Sequence, residues 1–341
     1  MKALKILKAQ DITTAELALP EPGDGEVRLR VTYAGICGSD LNYYFKGANG
    51  PFELREPFTP GHELSGVVDL DPSGKLAAGT PVTVAPATFG TPLRGIEQEK
   101  HLWPGGSYLG SAANFPHRQG GMAEYLIVSD YMVRVVPDGM GLVTAALAEP
   151  LAVALRAHTV VGGVAGQRVL VSGSGPIGLL VAAAAVVRGA ESVTCLDMLA
   201  EPLERAKALG ATATIQLGID EVPEEAFDIV FECSGAPSAV TTALKAVRRQ
   251  GTVCQVGTLP NAEVPVNLAS LEIKETRYVG TFRFNDEIDD AIVLLAEHPE
   301  IAGVITHVLP AEQAAEAFAV ARDSSKSGKV VVSLWTAAPG D

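Results

Sequence analysis

Residues 168–178 read RVLVSGSGPIG, and this stretch decides the fold of the chain. Its apolar start predicts a short strand, which runs directly into a glycine turn and then into an Ala/Val-rich helix. Gly173 allows a tight turn, Gly175 allows the backbone to approach a pyrophosphate, and Gly178 allows the helix to pack closely on the strand. The helix N-terminus then stabilises phosphate charge. The predicted cofactor-binding residues of this turn are Gly173, Gly175, Pro176, Ile177 and Gly178.

A carboxylate follows the glycine turn at the spacing typical of a ribose-binding residue. Asp197 lies 19 residues past Gly178, at the end of the next apolar run, VTCLD. A carboxylate in that position accepts hydrogen bonds from ribose hydroxyls and repels a 2′-phosphate. The sequence therefore predicts NAD rather than NADP as the cofactor. The alternative is a glycine turn that binds nothing, with Asp197 as an ordinary surface residue.

The pattern on either side of the turn differs. Residues 227–232, 251–256 and 278–281 read as further strands between helical segments, which predicts a parallel, doubly wound α/β sheet. Before about residue 145, short β-type runs such as 26–34 (EVRLRVTYA) and 65–71 (SGVVDLD) alternate with Gly/Pro turns. That texture predicts a barrel-like β domain.

Composition limits the classes of partner and compartment. The chain has 341 residues and a formal net charge of -14, so it repels phosphate backbones and we expect no nucleic-acid partner. The longest apolar run, residues 179–187, is far shorter than the ~20 residues of a membrane span. No secretory signal is evident at the start, and the four cysteines do not form a closely spaced framework. A cytoplasmic protein without membrane contact is the expectation.

Three short segments carry candidate metal ligands. Cys37 lies in GICGSD just after a predicted strand, His62 and Glu63 lie in GHE, and Glu149 lies in AEP, near the start of the predicted helical stretch 145–162 that leads into the nucleotide domain. One thiolate, one imidazole and one or two carboxylates form a plausible zinc set that leaves a position open. Taken singly, the cysteine is more often a small core residue and the histidine a satisfied polar group. The set gains weight only together with the nucleotide turn.

GICGSD, GHELSG, AEPLAVA and VSGSGPIG together resemble the zinc-dependent medium-chain alcohol and polyol dehydrogenases, over nearly the whole chain. The resemblance implies a GroES-like β-barrel catalytic domain of residues 1–146 and 285–341, around a Rossmann NAD-binding domain of residues 147–284. It places zinc on Cys37, His62 and Glu63, with Glu149 either a ligand or hydrogen-bonded to the zinc water. The His-Glu and Glu-Pro pairs are closer to sorbitol-type polyol enzymes than to simple alcohol dehydrogenases.

The same resemblance implies roles for four further residues. Ser39 takes the hydroxyl proton of the substrate into a relay, and Asp40 orients His62 by accepting its other ring N–H. Tyr43 matches a substrate-contacting tyrosine, although a core aromatic is equally compatible with the pattern. Arg283, in TFRF, matches an arginine near the nicotinamide that bonds to polar groups of the active site.

Two departures from the family pattern matter. Asn42 stands where the family usually has a histidine three residues after the relay serine, so the far end of the relay is open. The loop of residues 85–121 has no cysteine, whereas many relatives bind a structural zinc there through four. We therefore predict a single catalytic zinc per chain and a loop held by packing, through Phe89, Trp103 and Tyr108.

Residues 108–121, YLGSAANFPHRQGG, resemble the L-idonate branch of the polyol group. The predicted substrate is thus a small aldonate, L-idonate, oxidised to 5-keto-D-gluconate, with sorbitol or xylitol as the alternative. An aldonate needs a cation for its carboxylate, and Arg118, Arg283 and Lys46 are the candidates.

Two other kinds of protein remain as alternatives: a zinc-free quinone or enone reductase of the same superfamily, and a non-catalytic NAD-binding protein on the same fold. The metal set and Asp197 count against the reductase, and the complete metal set counts against the non-catalytic protein. Relatives pair their nucleotide domains edge to edge, so a homodimer or homotetramer is expected. Residues 264–281 are the candidate edge strands.

Overall fold

Two large β-sheets organise the chain in the computed structural model, which describes residues 1–336. The strands are β1 (Lys2–Lys8), β2 (Asp11–Glu16), β3 (Glu26–Gly35), β4 (Ala48–Asn49), β5 (Phe52–Glu53), β6 (Glu63–Leu70), β7 (Pro81–Val84), β8 (Ala87–Thr88), β9 (Ser107–Tyr108), β10 (Tyr125–Ser129), β11 (Val133–Val135), β12 (Arg168–Ser172), β13 (Ser192–Asp197), β14 (Ala213–Gln216), β15 (Phe227–Glu232), β16 (Val247–Gln255), β17 (Arg277–Gly280), β18 (Ile305–Pro310) and β19 (Lys329–Ser333). The α-helices are α1 (Gly38–Lys46), α2 (Leu142–Ala145), α3 (Ala148–Val161), α4 (Pro176–Val187), α5 (Ala200–Ala208), α6 (Pro237–Ala246), α7 (Ala269–Ile273), α8 (Glu287–Glu297) and α9 (Ala314–Arg322). Short 3₁₀ turns lie at Lys100–Leu102, Asp130–Met132, Pro299–Val304 and Ala311–Gln313.

The large sheet formed by the middle of the chain has six parallel strands in the order β14-β13-β12-β15-β16-β17. Helices α3, α4 and α8 contribute to the hydrophobic core on one face, and α6 contributes to a separate core on the other. The predicted parallel, doubly wound sheet is therefore confirmed. Strand β12 lies near its centre, and β13 and β15 flank it. The carboxyl ends of these three strands meet at the glycine turn, as expected for a nucleotide site in such a sheet.

The other large sheet brings together strands from the N-terminal and C-terminal parts of the chain. Its strands follow the order β11-β7-β6-β3-β19-β18, and β10 also pairs with β3. Strand β19 runs antiparallel to β3, with Val331 opposite Gly35. The C-terminal strand is thereby built into the same sheet as the strand that leads to Cys37. This arrangement agrees with the predicted β-barrel-like domain formed from both ends of the chain.

Helix α8 bears on the boundary between the domains, which we predicted at residues 284 and 285. Ile288 and Leu295 of this helix are buried in the core that α3 and α4 share with the parallel sheet. Val304, at the end of the next 3₁₀ turn, lies in the same core. We propose that the nucleotide domain extends to about this residue. The last five residues of the predicted catalytic segment, 337–341, lie outside the described part of the chain.

The cysteine-free loop of residues 85–121 is held by polar contacts as well as by packing. Glu99 accepts from Arg156 of α3 at 2.6 Å, and Asn285 bonds to the backbone of residues 98 and 100. The rings of Phe89 and Trp103 contact each other edge-on with centroids 6.5 Å apart. Two of the three aromatic residues that we predicted thus pack together, while the third, Tyr108, lies buried at the candidate site.

The helices of residues 1–336 fall short of what a bilayer crossing requires. None of those described is both long enough and apolar enough to span a membrane.

Candidate active site

Cys37, His62 and Glu63 converge in the structure. Each offers one ligand atom, and the three atoms lie within 4.8 Å of one another. The sheet register explains the meeting. Strand β3 ends two residues before Cys37, and Glu63 begins β6 directly opposite Gly35. A Cβ atom at Gly35 would lie 2.0 Å from Glu63 Oε2, so only glycine leaves room for the carboxylate.

These three residues suit a zinc ion. Among the described residues, His62 Nδ1 and Glu63 Oε2 are buried without hydrogen-bond partners, and buried polar atoms are normally paired. Burial by itself lowers the pKa of His62, but the Cys37 thiolate and nearby carboxylates raise it to about 10 overall. The negative groups thus favour a positive charge in their midst, and a divalent metal supplies it without the proton. Thiolate, imidazole and carboxylate are the donor set that zinc accepts.

Asp40 is placed differently from the prediction. Its carboxylate is fully buried and accepts the backbone N–H groups of Cys37 at 3.0 Å and Gly61 at 3.1 Å. We expected it to accept the ring N–H of His62, but among the described residues no partner bonds His62 Nδ1. Asp40 therefore fixes the backbone that presents two candidate ligands rather than orienting the imidazole ring.

Lys329 supports Glu63 from the opposite end of the chain. Its ammonium group, at the start of β19, donates to Glu63 Oε1 at 2.5 Å and to the Ile36 carbonyl at 3.1 Å. Both charged side chains are almost completely buried. This contact leaves Oε2 of Glu63 as its unpaired oxygen. Lys329 was not among the predicted site residues, although a lysine at the start of an otherwise apolar strand (KVVVS) is a weak signal for a buried ion pair.

Glu149 lies in the first turn of α3, beside the candidate ligands Cys37, His62 and Glu63. Tyr108 donates its hydroxyl to Glu149 Oε1 at 2.5 Å, and its ring meets the His62 ring edge-on at 5.4 Å. Burial raises the pKa of the Glu149 carboxyl, and burial also raises the pKa of the Tyr108 hydroxyl well above its usual range. Glu149 contributes no atom to the cluster of three candidate ligand atoms. This fits the alternative in which Glu149 is hydrogen-bonded to the zinc water. The tyrosine partner was not predicted.

The residues expected to form the proton relay lie on α1. Ser39 is half-buried in its first turn, and among residues 1–336 its hydroxyl has no hydrogen-bond partner. Asn42 donates to Asn49 Oδ1 at 3.0 Å, so its amide is engaged in a local contact. Tyr43 is buried against Phe58, and its hydroxyl accepts the Ala112 N–H at 3.0 Å. The core-aromatic alternative for Tyr43 thus has direct support.

Arg283 closes the site from the nucleotide domain. It has a φ of 49°, which is the left-handed region that non-glycine residues rarely adopt. Its guanidinium lies 4.2 Å from the ring centroid of Tyr108. The arginine thus lies next to the pair formed by Tyr108 and Glu149.

The glycine turn has the shape that a dinucleotide needs. Gly173 has a φ of 94°, and a Cβ atom at Gly178 would lie 1.9 Å from the Gly173 carbonyl oxygen. Gly175 precedes helix α4, Pro176 opens it and Ile177 follows, half-buried. A Cβ atom at Gly175 would meet nothing within 4 Å, so the turn is open where a phosphate would approach.

Asp197 ends β13 beside this turn. Its carboxylate accepts the backbone N–H of Ser174 at 2.8 Å and that of Leu199 at 3.1 Å. Each carboxylate oxygen retains a further lone pair for a hydroxyl donor. The residue therefore both braces the turn and presents negative charge at the edge of the predicted ribose site.

Comparisons with known proteins agree with this geometry. The family models "Alcohol dehydrogenase GroES-like domain" and "Zinc-binding dehydrogenase" match residues 23–138 and 176–297. L-idonate 5-dehydrogenase (NAD(P)(+)) of Escherichia coli is 34% identical, with 89% of this chain and 90% of that protein covered. Sorbitol dehydrogenase of Gallus gallus is 33% identical, with coverage of 99% and 97%. The crystal structure of the Escherichia coli L-idonate enzyme matches at a TM-score of 0.92 and 30% identity, covering 97% of both chains. The expected GroES-like and Rossmann architecture is confirmed, and the chain belongs to the zinc-binding medium-chain dehydrogenases.

Proposed function

We propose that this protein oxidises a secondary alcohol of an aldonate or polyol by transferring a hydride from the hydroxyl-bearing carbon to NAD, with L-idonate as its preferred substrate. The observation that carries the proposal is the convergence of Cys37, His62 and Glu63 in a chain that also forms a dinucleotide-type turn. The preference for L-idonate is supported by the relative at 34% identity and by the stretch of residues 108–121. Sorbitol or xylitol is the second candidate, since a sorbitol dehydrogenase is nearly as similar.

A zinc ion held by Cys37, His62 and Glu63 would act as a Lewis acid on the substrate hydroxyl. The residues around it have separate tasks. The unpaired hydroxyl of Ser39 accepts and passes on the substrate proton. Glu149, held by Tyr108, orients a water or hydroxyl at the open position. Arg283, over the Tyr108 ring, borders the space proposed for the carbon chain, and Tyr43 supports the site from the core through its bond to Ala112.

We propose one zinc per chain, because the loop of residues 85–121 has no cysteine and is anchored through Glu99 and Asn285 instead. The four cysteines are free, which is consistent with a reducing cytoplasm. A homodimer or homotetramer remains our proposal for the assembly, with β17 as the edge strand of the parallel sheet.

A substrate panel tests the proposed function. We expect zinc-loaded protein to reduce NAD with the highest kcat/KM for L-idonate, with lower values for sorbitol and xylitol. NADH absorbance gives the rates, and dialysis against a chelator followed by zinc addition should abolish and restore them. Activity on sorbitol or xylitol without activity on L-idonate would favour the second candidate. A protein with bound zinc and NAD that oxidises none of the three would contradict the proposal.

Asp197→Ala should shift the cofactor preference. Loss of the carboxylate removes both an acceptor for ribose hydroxyls and the repulsion of a 2′-phosphate. Because a hydrogen bond to a charged group contributes about 1.5–3 kcal/mol, we expect the KM for NAD to rise about 10- to 100-fold. The ratio of kcat/KM for NADP to that for NAD should rise with it.

Asp197→Asn is the matched variant for this test. It keeps one carbonyl acceptor for the Ser174 amide, replaces the other oxygen by an NH₂ donor and removes the negative charge. A comparable gain in relative NADP use in both variants assigns the effect to charge. An unchanged cofactor preference in both would show that Asp197 does not contact the ribose.

A further inference from the structure

A cavity of about 250 Å³ lies between the cysteine-free loop and the segment that carries Arg283. Strand β8, the 3₁₀ turn Lys100–Leu102 and Trp103 form the loop side, and Phe282 and Arg283 form the other. Cavities of this size hold small molecules, and a few charged groups in the wall set which molecules fit.

The cavity adjoins the candidate zinc site. Its wall strand β8 pairs with β9, where Ala87 lies opposite Tyr108. Tyr108 in turn donates to Glu149 and contacts the His62 ring. Arg283 lines the cavity and covers the Tyr108 ring at 4.2 Å. Tyr108 and Arg283 therefore lie between the candidate zinc site and this space.

Arg283 carries a largely buried positive charge. Its side chain is sandwiched between the rings of Tyr108 and Phe282, at 4.2 and 4.8 Å from their centroids. Burial lowers its pKa, but a guanidinium remains charged at neutral pH. Within residues 1–336 no carboxylate is hydrogen-bonded or ion-paired with it, although the charge of Glu149 acts on it from the far side of Tyr108. Partly burying such a charge is costly, and an anionic ligand group would offset that cost.

The loop side of the cavity adds two nitrogen-bearing side chains. Lys100 is paired only loosely, with its Nζ 3.6 Å from Asp286 Oδ1, and both side chains are exposed. Such a surface pair contributes little, so the ammonium is available to a ligand. His101 is buried next to it; its Nδ1 lies 3.6 Å from Glu99 Oε2 and has no hydrogen-bond partner in the described chain.

We propose that this cavity binds the terminal carboxylate of an aldonate substrate, between Arg283 on one side and Lys100 and His101 on the other. The inference rests on the proposed function, and it assigns the acid end of the substrate to specific residues. Of the three cations considered from sequence, it selects Arg283. Arg118 and Lys46 are not among the residues that line the cavity. The same chemistry would accept a phosphate ester, so the test has to separate the two anions.

Lys100→Met tests the proposal by calorimetric titration of zinc-loaded protein saturated with NADH. Methionine keeps much of the side-chain volume and removes the charge. We expect the Kd for L-idonate to rise about tenfold, as for loss of one charge-assisted hydrogen bond, while the Kd for sorbitol stays within about twofold. Lys46→Met is the matched control, because Lys46 is an exposed lysine on α1 outside the cavity, and it should change neither value.

Equal changes for L-idonate and sorbitol, or no change for either, would overturn the assignment of the cavity. A sorbitol phosphate that binds the unsubstituted protein more tightly than L-idonate would replace the carboxylate by a phosphate and would also overturn it. Turnover with NAD is measured separately. Loss of turnover with every substrate contradicts the proposed function, whereas the titrations still report on the cavity.

Discussion

Replacing Cys37 with serine is expected to lower kcat/KM by at least about 1000-fold and to release zinc from the protein. In residues 1–336 the thiolate is one of the three potential metal-ligating atoms that lie within 4.8 Å of one another at the site. Loss of a supporting contact outside the ligand set costs about 10- to 100-fold in metal affinity or activity, and loss of a ligand should cost more. A serine hydroxyl does not ionise at neutral pH and is a poor zinc ligand.

Zinc per chain after dialysis and kcat/KM with NAD are the two measurements. Cys254→Ser is the matched control, since it changes the same atom in the parallel sheet, where Cys254 is buried and free. The control should keep its zinc and most of its turnover. Circular dichroism should show that both variants are folded. A folded Cys37→Ser protein with normal zinc content and normal turnover would remove this residue from the proposed metal site.

The nucleotide turn was the most predictable part of the structure because its requirements are local. Gly173 and Gly178 are needed for steric reasons within a few residues of chain, and the structure shows those close approaches. Strands β12 and β15 have the bounds read from the sequence, since each has three consecutive apolar residues at its centre (VLV and IVF) and turn signals nearby. Strand β14 was missed, because its four residues, ATIQ, show no such run.

The candidate metal site was predictable for a different reason. Cys37, His62 and Glu63 lie in short motifs, and the family resemblance implied that distant motifs meet. Their actual meeting depends on the pairing of β3 with β6, which places Glu63 opposite Gly35. Periodicity in the sequence does not specify that register.

The supporting contacts were not predictable from local sequence. Tyr108 reaches Glu149 across 41 positions, and Arg156 reaches Glu99 across 57. Asp40 was expected to bond a side chain but instead satisfies two backbone amides, which no residue pattern distinguishes. Each of these contacts depends on tertiary packing, whereas sequence patterns mainly report secondary structure.

Lys329→Met is expected to lower the free energy of unfolding of the zinc-free protein by about 3–5 kcal/mol, the cost of removing one partner from a buried ion pair. The ammonium and the Glu63 carboxylate are 2.5 Å apart, and their side chains are only 2% and 1% exposed. Methionine fills similar space but leaves the carboxylate charge unpaired. Since the pair joins β19 to β6 across 266 positions, its loss also weakens the closure of the chain ends.

Urea unfolding of the zinc-free and zinc-loaded proteins provides the measurement, and Lys326→Met provides the control. Lys326 is exposed and pairs with Asp323 on the surface, so its replacement should cost less than about 1 kcal/mol. If Glu63 is a zinc ligand, bound metal supplies positive charge to the stranded carboxylate, and the deficit of Lys329→Met should shrink in the zinc-loaded protein. An equal deficit in both states would separate Glu63 from the metal. A Lys329→Met protein as stable as Lys326→Met would show that the buried pair does not stabilise the fold.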